Sequence, residues 1–116
     1  MAVRLDKSWT ALTADNLKSV AAHLGVYQLA NAAEEIVYIG VADARTTLGL
    51  KGELTRWLEA PPSGAAKFRI EINMSYRTRH AELLAVFQHD YGRLPEANTD
   101  VDPASLGRLR PGGGPG

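Results

Sequence analysis

The sequence contains no cysteine. That absence removes disulfides, thiolate zinc sites and cysteine nucleophiles together. No apolar run approaches the roughly 18–20 residues a membrane-crossing helix requires, so no membrane association is expected. An excess of one charge is lacking too: 13 Lys and Arg balance 13 Asp and Glu, for a formal net charge of zero. A uniformly basic nucleic-acid coat is excluded by that balance, while a local basic patch is not. The three histidines, His23, His80 and His89, have neither HxH nor HxxxH spacing, which argues against a histidine zinc site. GxGxxG, P-loop and GxSxG motifs are missing, and with them the common nucleotide-fold and serine-hydrolase signatures. Met1 to Lys7 carry no long apolar stretch after their positive charges, unlike a secretory signal, so a cytoplasmic protein is expected.

What is present is enough for one packed domain. The chain has 116 residues, 45% of them hydrophobic, a length that buries a core without disulfides or a structural metal. It divides into a body, residues 1–100, and a tail, residues 101–116. The tail holds five of the eleven glycines and three of the six prolines and has almost no apolar periodicity. Such a segment buries too little to offset its ordering entropy, so a flexible tail is expected.

The body reads as mixed α and β. Leu17, Val20, Ala21 and Leu24 fall on one helical face, predicting a helix over residues 14–24 with Thr13 as N-cap and Gly25 at the stop. Residues 26–30 and 36–39 are rich in β-branched and aromatic side chains and predict two strands joined by a hairpin loop, 31–35. Alternation puts Tyr27 with Leu29 and Tyr38 with Ile36, and pairing would bring the tyrosines onto one side. Leu50, Leu54, Trp57 and Leu58 predict a helix over 47–59, weakened by Gly49 and Gly52 and ended by Pro61 and Pro62. Phe68, Ile70 and Ile72 alternate with charged residues over 67–73, a half-buried strand. Leu83, Leu84, Val86 and Phe87 predict a largely buried helix over 78–91, closed by Gly92. The order α-β-β-α-β-α implies an α+β fold, a small antiparallel three-stranded sheet flanked by helices.

Glu82 stands out because a carboxylate in the most apolar helix must be paired, protonated or bound to a cation. Arg79, three residues earlier, is positioned to pair it, and a plain surface position for Glu82 is the simpler alternative. Lys67, Arg69, Arg77 and Arg79 would serve as a phosphate-facing patch or as a solvated strand edge and helix start.

Gly25-Val26-Tyr27, followed eleven residues later by Tyr38-Ile39-Gly40, resembles the paired signature of the GIY-YIG nuclease superfamily. The resemblance extends over about residues 13 to 98, through the helix, the third strand, Glu82 in the last helix and Asn98 after Leu94-Pro95. It implies a divalent-metal-dependent endonuclease acting on DNA. Glu82 would bind a single Mg²⁺ or Mn²⁺, Tyr27 and Tyr38 would line the site, one of them helping to activate or orient the attacking water, and Asn98 would support it. One carboxylate leaves most of such a cation's shell to water and phosphate oxygen. The family's arginine position is held here by Glu53 and its following His or Tyr position by Trp57. A carboxylate there repels phosphate, so Arg56, one turn on, or Arg45 in the preceding loop is the expected phosphate clamp. The alternative is a catalytically inactive module of the same fold, binding nucleic acid or a protein partner, with specificity drawn from that partner or from a homodimer.

Overall fold

The computed structural model describes residues 4–99. All six residues of the strand Gly25–Ala30 (β2) are buried, which requires cover on both faces and neighbours on both edges. Its neighbours are Ile36–Ala42 (β3) on one side and Lys67–Ile72 (β4) on the other, both antiparallel. A further strand, Thr10–Ala11 (β1), pairs antiparallel with the far edge of β4. The sheet therefore has four strands in the order β1-β4-β2-β3, which corrects the expectation of three. The α+β class stands, but a strand of two residues shows no alternation for periodicity to detect. It is fixed by backbone pairing, continued by Leu12 N donating to Ala66 O at 2.9 Å.

The first helix is also shorter than its pattern. It covers only Ala14–Leu17 (α1), with the Thr13 hydroxyl accepting from Asn16 N as the expected N-cap. Beyond Leu17 the backbone bonds span three residues, as from Ser19 N to Asn16 O and Val20 N to Leu17 O. Asn16 and Ser19 divert their side chains to backbone carbonyls, Ala11 O and Asn16 O, a competition that shortens helices. Leu17 and Val20 are nevertheless buried, so their apolar spacing reported burial rather than a continuous helix.

The hairpin loop is organised by Asn31, whose Oδ1 accepts from Ala33 N at 3.0 Å and Glu35 N at 2.9 Å. A register shift between Leu29 and Ala30 follows from it. Because of that shift Ile36 packs with Val26 and Ile39, not on the side of Tyr38 as strict alternation would have it.

Helices cover the two sheet faces. Gly49–Glu59 (α2) seats Leu50 and Leu54 against Tyr27, Leu29 and Phe68. Both leucines are wholly buried, each stabilising the fold by about 1.5–3 kcal/mol. Gly52 weakens the helix locally but is required there, since a Cβ would lie 1.9 Å from Thr47 O. Tyr76–Tyr91 (α3) seats Leu83, Leu84 and Phe87 against Val26 and Ile39 on the other face. It ends, as expected, at Gly92 in the left-handed conformation, φ 70°. No helix among the described residues is long and apolar enough to cross a membrane. The tail expected at 101–116 lies outside the described residues.

Candidate functional site

Strand register distributes the candidate residues. Tyr27 stands opposite Gly40 on β3 and Ile70 on β4, and all three face α2. Tyr38 is two residues from Gly40 and shares that face. The tyrosine rings lie 6.0 Å apart, and Tyr38 lies 5.1 Å from Trp57. The juxtaposition of the two tyrosines expected from pairing is thus present. Gly40 is what admits it: a Cβ there would lie 2.2 Å from Tyr27 Cζ.

The Tyr27 hydroxyl is held from two directions. It donates to Glu53 Oε1 at 2.7 Å and accepts from Trp57 Nε1 at 2.6 Å. Tyr27 is wholly buried. Burial first, then Tyr38 and the Glu53 carboxylate, push its phenol far above the ordinary value of 10.0. A phenol so placed is a donor, not a base. Glu53 Oε1 also accepts from Arg56 Nη2 at 3.0 Å, and that guanidinium lies 4.2 Å from the Trp57 ring centre. Glu53 and Trp57, which depart from the pattern of the resembled nuclease superfamily, are therefore the partners of Tyr27. The carboxylate at the arginine position takes the tyrosine's proton side and the indole takes its lone pair.

Glu82 belongs to the opposite face. Glu71 pairs in register with Val26, on the side covered by α3. Arg79, 8% exposed, donates through Nε to Glu71 Oε2 at 2.9 Å and through Nη2 to Glu71 Oε1 at 3.2 Å. Its Nη1 donates to Glu82 Oε1. Asn73 Nδ2 adds a bond to Glu71 at 3.0 Å. Partial burial works against the Glu71 carboxylate, but the bonds from Arg79 and Asn73 prevail and hold its pKa below 4.5. Burial likewise works against the Arg79 charge, and the two glutamates outweigh it. The expected Arg79–Glu82 pair is present. Glu71 was missed, because alternation alone places it on the solvent side of a strand whose partners are unknown.

This arrangement does not fit a divalent cation on Glu82. The position beside the carboxylate is taken by a guanidinium whose charge would repel a metal. Among the described residues no group of three or more His, Asp or Glu side chains stands where it would hold one.

The remaining candidates are dispersed. Asn98, 5% exposed, clasps the backbone of Ile39: its Oδ1 accepts from Ile39 N and its Nδ2 donates to Ile39 O, each at 2.9 Å. Arg45 lies 3.7 Å from Asp43, 85% exposed, and is paired with no other described carboxylate. Arg45 and Arg56 share the wall of an open hollow of about 440 Å³ with Thr46 and Thr47. Neither forms an ion pair with Glu82. Of the basic run on β4 and α3, Lys67 pairs with Glu34, Arg69 binds Gln28, and Arg79 is buried, so these three do not form one patch.

No curated protein matches the chain in sequence. Residues 3–90, most of the chain, match the family described as Domain of unknown function (DUF7508). The protein belongs to the DUF7508 family.

Proposed function

We propose that the chain is a binding module on a GIY-YIG-like frame that does not hydrolyse phosphodiester bonds, and that it holds a nucleic-acid strand through Arg45 and Arg56. One observation carries the reading: Glu53, at the position where the resembled family has its arginine, accepts the Tyr27 hydroxyl at 2.7 Å. On the plan of the resembled family, hydrolysis takes a tyrosine hydroxyl that meets water and a carboxylate free to take a cation. Tyr27 is wholly buried, and Glu82 is occupied by Arg79 on the other face of the sheet.

Nucleic acid as the ligand rests on the hollow at the start of α2. The exposed guanidinium groups of Arg45 and Arg56 and the hydroxyl-bearing Thr46 and Thr47 line it together with the Asp43 and Glu53 carboxylates, each paired with one of the two arginines, so a phosphate has to compete with those pairs. Two phosphate contacts are modest and strongly salt-dependent. For a single strand they give a slope of log K against log salt near −1.4, from about −0.7 per contact.

Fluorescence anisotropy with labelled single-stranded and duplex DNA measures this. Binding that weakens with salt and is lost in Arg45→Gln/Arg56→Gln supports the reading. Supercoiled and branched DNA incubated with Mg²⁺ or Mn²⁺, beside Glu82→Ala, tests the silent half. Metal-dependent cleavage abolished by Glu82→Ala would restore the endonuclease expectation. A protein partner has one observation in its favour: Leu48, Ile72 and Met74 are large apolar side chains exposed by 61%, 53% and 77%. Ile72 is aligned with Gly25 and Ala42 at one end of the sheet, and Met74 follows two residues later.

A further inference from the structure

The outer edge of β4 is only partly covered. Asn73 N donates to Leu24 O at 3.2 Å, and Leu12 N donates to Ala66 O at 2.9 Å. Antiparallel alternation counted from those bonds turns the backbone N–H and C=O of Phe68, Ile70 and Ile72 away from β2. Thr10 takes up Phe68, and β1 extends no further along the edge. Among the described residues no backbone bond reaches the outward groups of Ile70 or Ile72. A row of open main-chain donors and acceptors is a template for a further strand.

The space beside this edge is shaped to admit one. A hollow of about 260 Å³ is bounded by Lys7 and Ser8 from the segment before β1, by Asn16 and Ser19 around α1, and by Ile70. Ile72 and Met74, both exposed, continue the apolar line beyond it. Proteins blunt a free edge with Lys, Pro or a bulge. Ile70-Glu71-Ile72 has no Lys or Pro and pairs with β2 without a register shift.

Register also states what fits. A residue beside Ile70 or Ile72 lies with them on the α2 face, where an apolar β-branched side chain packs. Charge is set by the hollow, which no carboxylate lines. Arg69 in its wall is balanced by Asp6 and Glu34. Lys7 is in no ion pair among the described residues. Glu71, the carboxylate that feels its charge, is already held by Arg79. A second copy of the chain is a poor occupant. Two-fold pairing of Ile70 with Ile72 of a copy sets Glu71 directly against Glu71, like charge on like charge. Pairing Ile70 with Ile70 instead sets Ile72 against Phe68, which Thr10 already takes up.

We propose that the β4 edge takes an extended segment of another protein as a further strand, with β-branched residues beside Ile70 and Ile72 and an acidic residue toward Lys7. Main-chain bonds to Ile70 and Ile72 hold the segment, and the alternate side chains and the acid select it. The hollow of Arg45 and Arg56 is lined by other residues, so the proposal does not rest on the nucleic-acid reading.

Amide hydrogen exchange of the full chain, read by ¹H–¹⁵N NMR, tests the edge. In the free chain the Ile70 and Ile72 amides should exchange at least about tenfold faster than those of Arg69 and Glu71, which face β2. The probe is the capped peptide acetyl-Asp-Val-Thr-Val-Thr-Val-Asp-amide. It should give saturable shifts at Ile70 and Ile72 and, at saturation, slow their exchange at least about tenfold, with little change at Arg69 and Glu71. The same peptide with Lys for both Asp should bind about threefold more weakly, and Lys7→Glu should reverse that preference. Ile72→Pro removes an outward N–H, leaves the β2 ladder intact and should weaken binding at least about tenfold. Arg45→Gln should leave binding unchanged. Slow, concentration-dependent exchange at Ile70 and Ile72 in the free chain would assign the edge to a second copy and overturn the proposal. No saturable shift with the acidic peptide, equal binding of the two peptides, or undiminished affinity in folded Ile72→Pro would each overturn it too.

Discussion

The Tyr27 hydroxyl donates to Glu53 across 2.7 Å, joining the first motif strand to the helix that covers it. The bond fixes the phenol in its neutral form, and stability should therefore depend on alkaline pH. Tyrosine in the unfolded chain ionises near 10.0, whereas Tyr27 in the fold ionises far higher. Above pH 10 the unfolded state loses a proton that the native state keeps, so stability falls as pH rises. Tyr27→Phe should remove that part of the alkaline decline. At neutral pH it should cost about 1–3 kcal/mol, because Trp57 and Glu53 lose their buried partner. Urea unfolding at pH 7 and pH 10.5 measures both, and a Phe variant with the wild-type alkaline slope would refute the assignment.

Gly40 and Tyr27 form a coupled pair. Gly40→Ala puts a methyl within 2.2 Å of Tyr27 Cζ, with α2 packed behind the ring. Such overpacking costs about 1–3 kcal/mol. In a Tyr27→Leu background the ring edge is gone and the same substitution should cost much less. A double-mutant cycle by urea unfolding reads the difference directly, and equal costs in both backgrounds would show that the ring yields.

The sequence made visible whatever repeats along the chain. The strands 26–30, 36–39 and 67–73, the buried helix ending at Gly92 and the Arg79–Glu82 pair were all legible, because each is a local spacing. β1 was hidden because two residues have no period, and the helix over 14–24 was overextended because buried Leu17 and Val20 mimic a helical face. The site was only half legible for a different reason. Glu53 and Trp57 were visible as departures, but that they close on Tyr27 depends on α2 docking over the sheet. That Tyr27 and Glu71 face opposite sides follows from a register no single strand records.

Arg79 between Glu71 and Glu82 makes the fold sensitive to acid. Glu71 is depressed in the fold, so its contribution is present above its ordinary value of 4.5 and is lost as pH falls through the lower native value. Glu71→Gln should flatten the acid limb of stability while leaving Glu82 to hold Arg79. Arg79→Met, which leaves two carboxylates facing each other, should cost about 3–5 kcal/mol at pH 7 and less at pH 4. Thermal unfolding across pH 3 to 7 distinguishes them. An acid limb unchanged in Glu71→Gln would mean that other carboxylates set it.

Asn98 completes the sheet where it would otherwise end. β3 is an edge strand, and Asn98 presents its amide to Ile39 as a neighbouring strand would, returning a donor and an acceptor at 2.9 Å each. It holds the backbone between Tyr38 and Gly40. Asn98→Ala leaves a buried N–H without its acceptor and should cost about 1–3 kcal/mol. Asn98→Asp is the sharper probe. Made in a His80→Gln background, because His80 Nε2 also lies 3.1 Å from Ile39 O, the substitution leaves one carboxylate oxygen accepting from Ile39 N while the other meets Ile39 O, lone pair against lone pair, so the charged form is disfavoured and its native pKa is raised above about 3.9. Protonation restores a donor, so the Asn98→Asp variant should gain on its His80→Gln parent as pH falls from 7 to 4. Urea midpoints of both proteins at the two pH values measure it, and a deficit that stays constant with pH would show that the substituted side chain had swung out of the clasp.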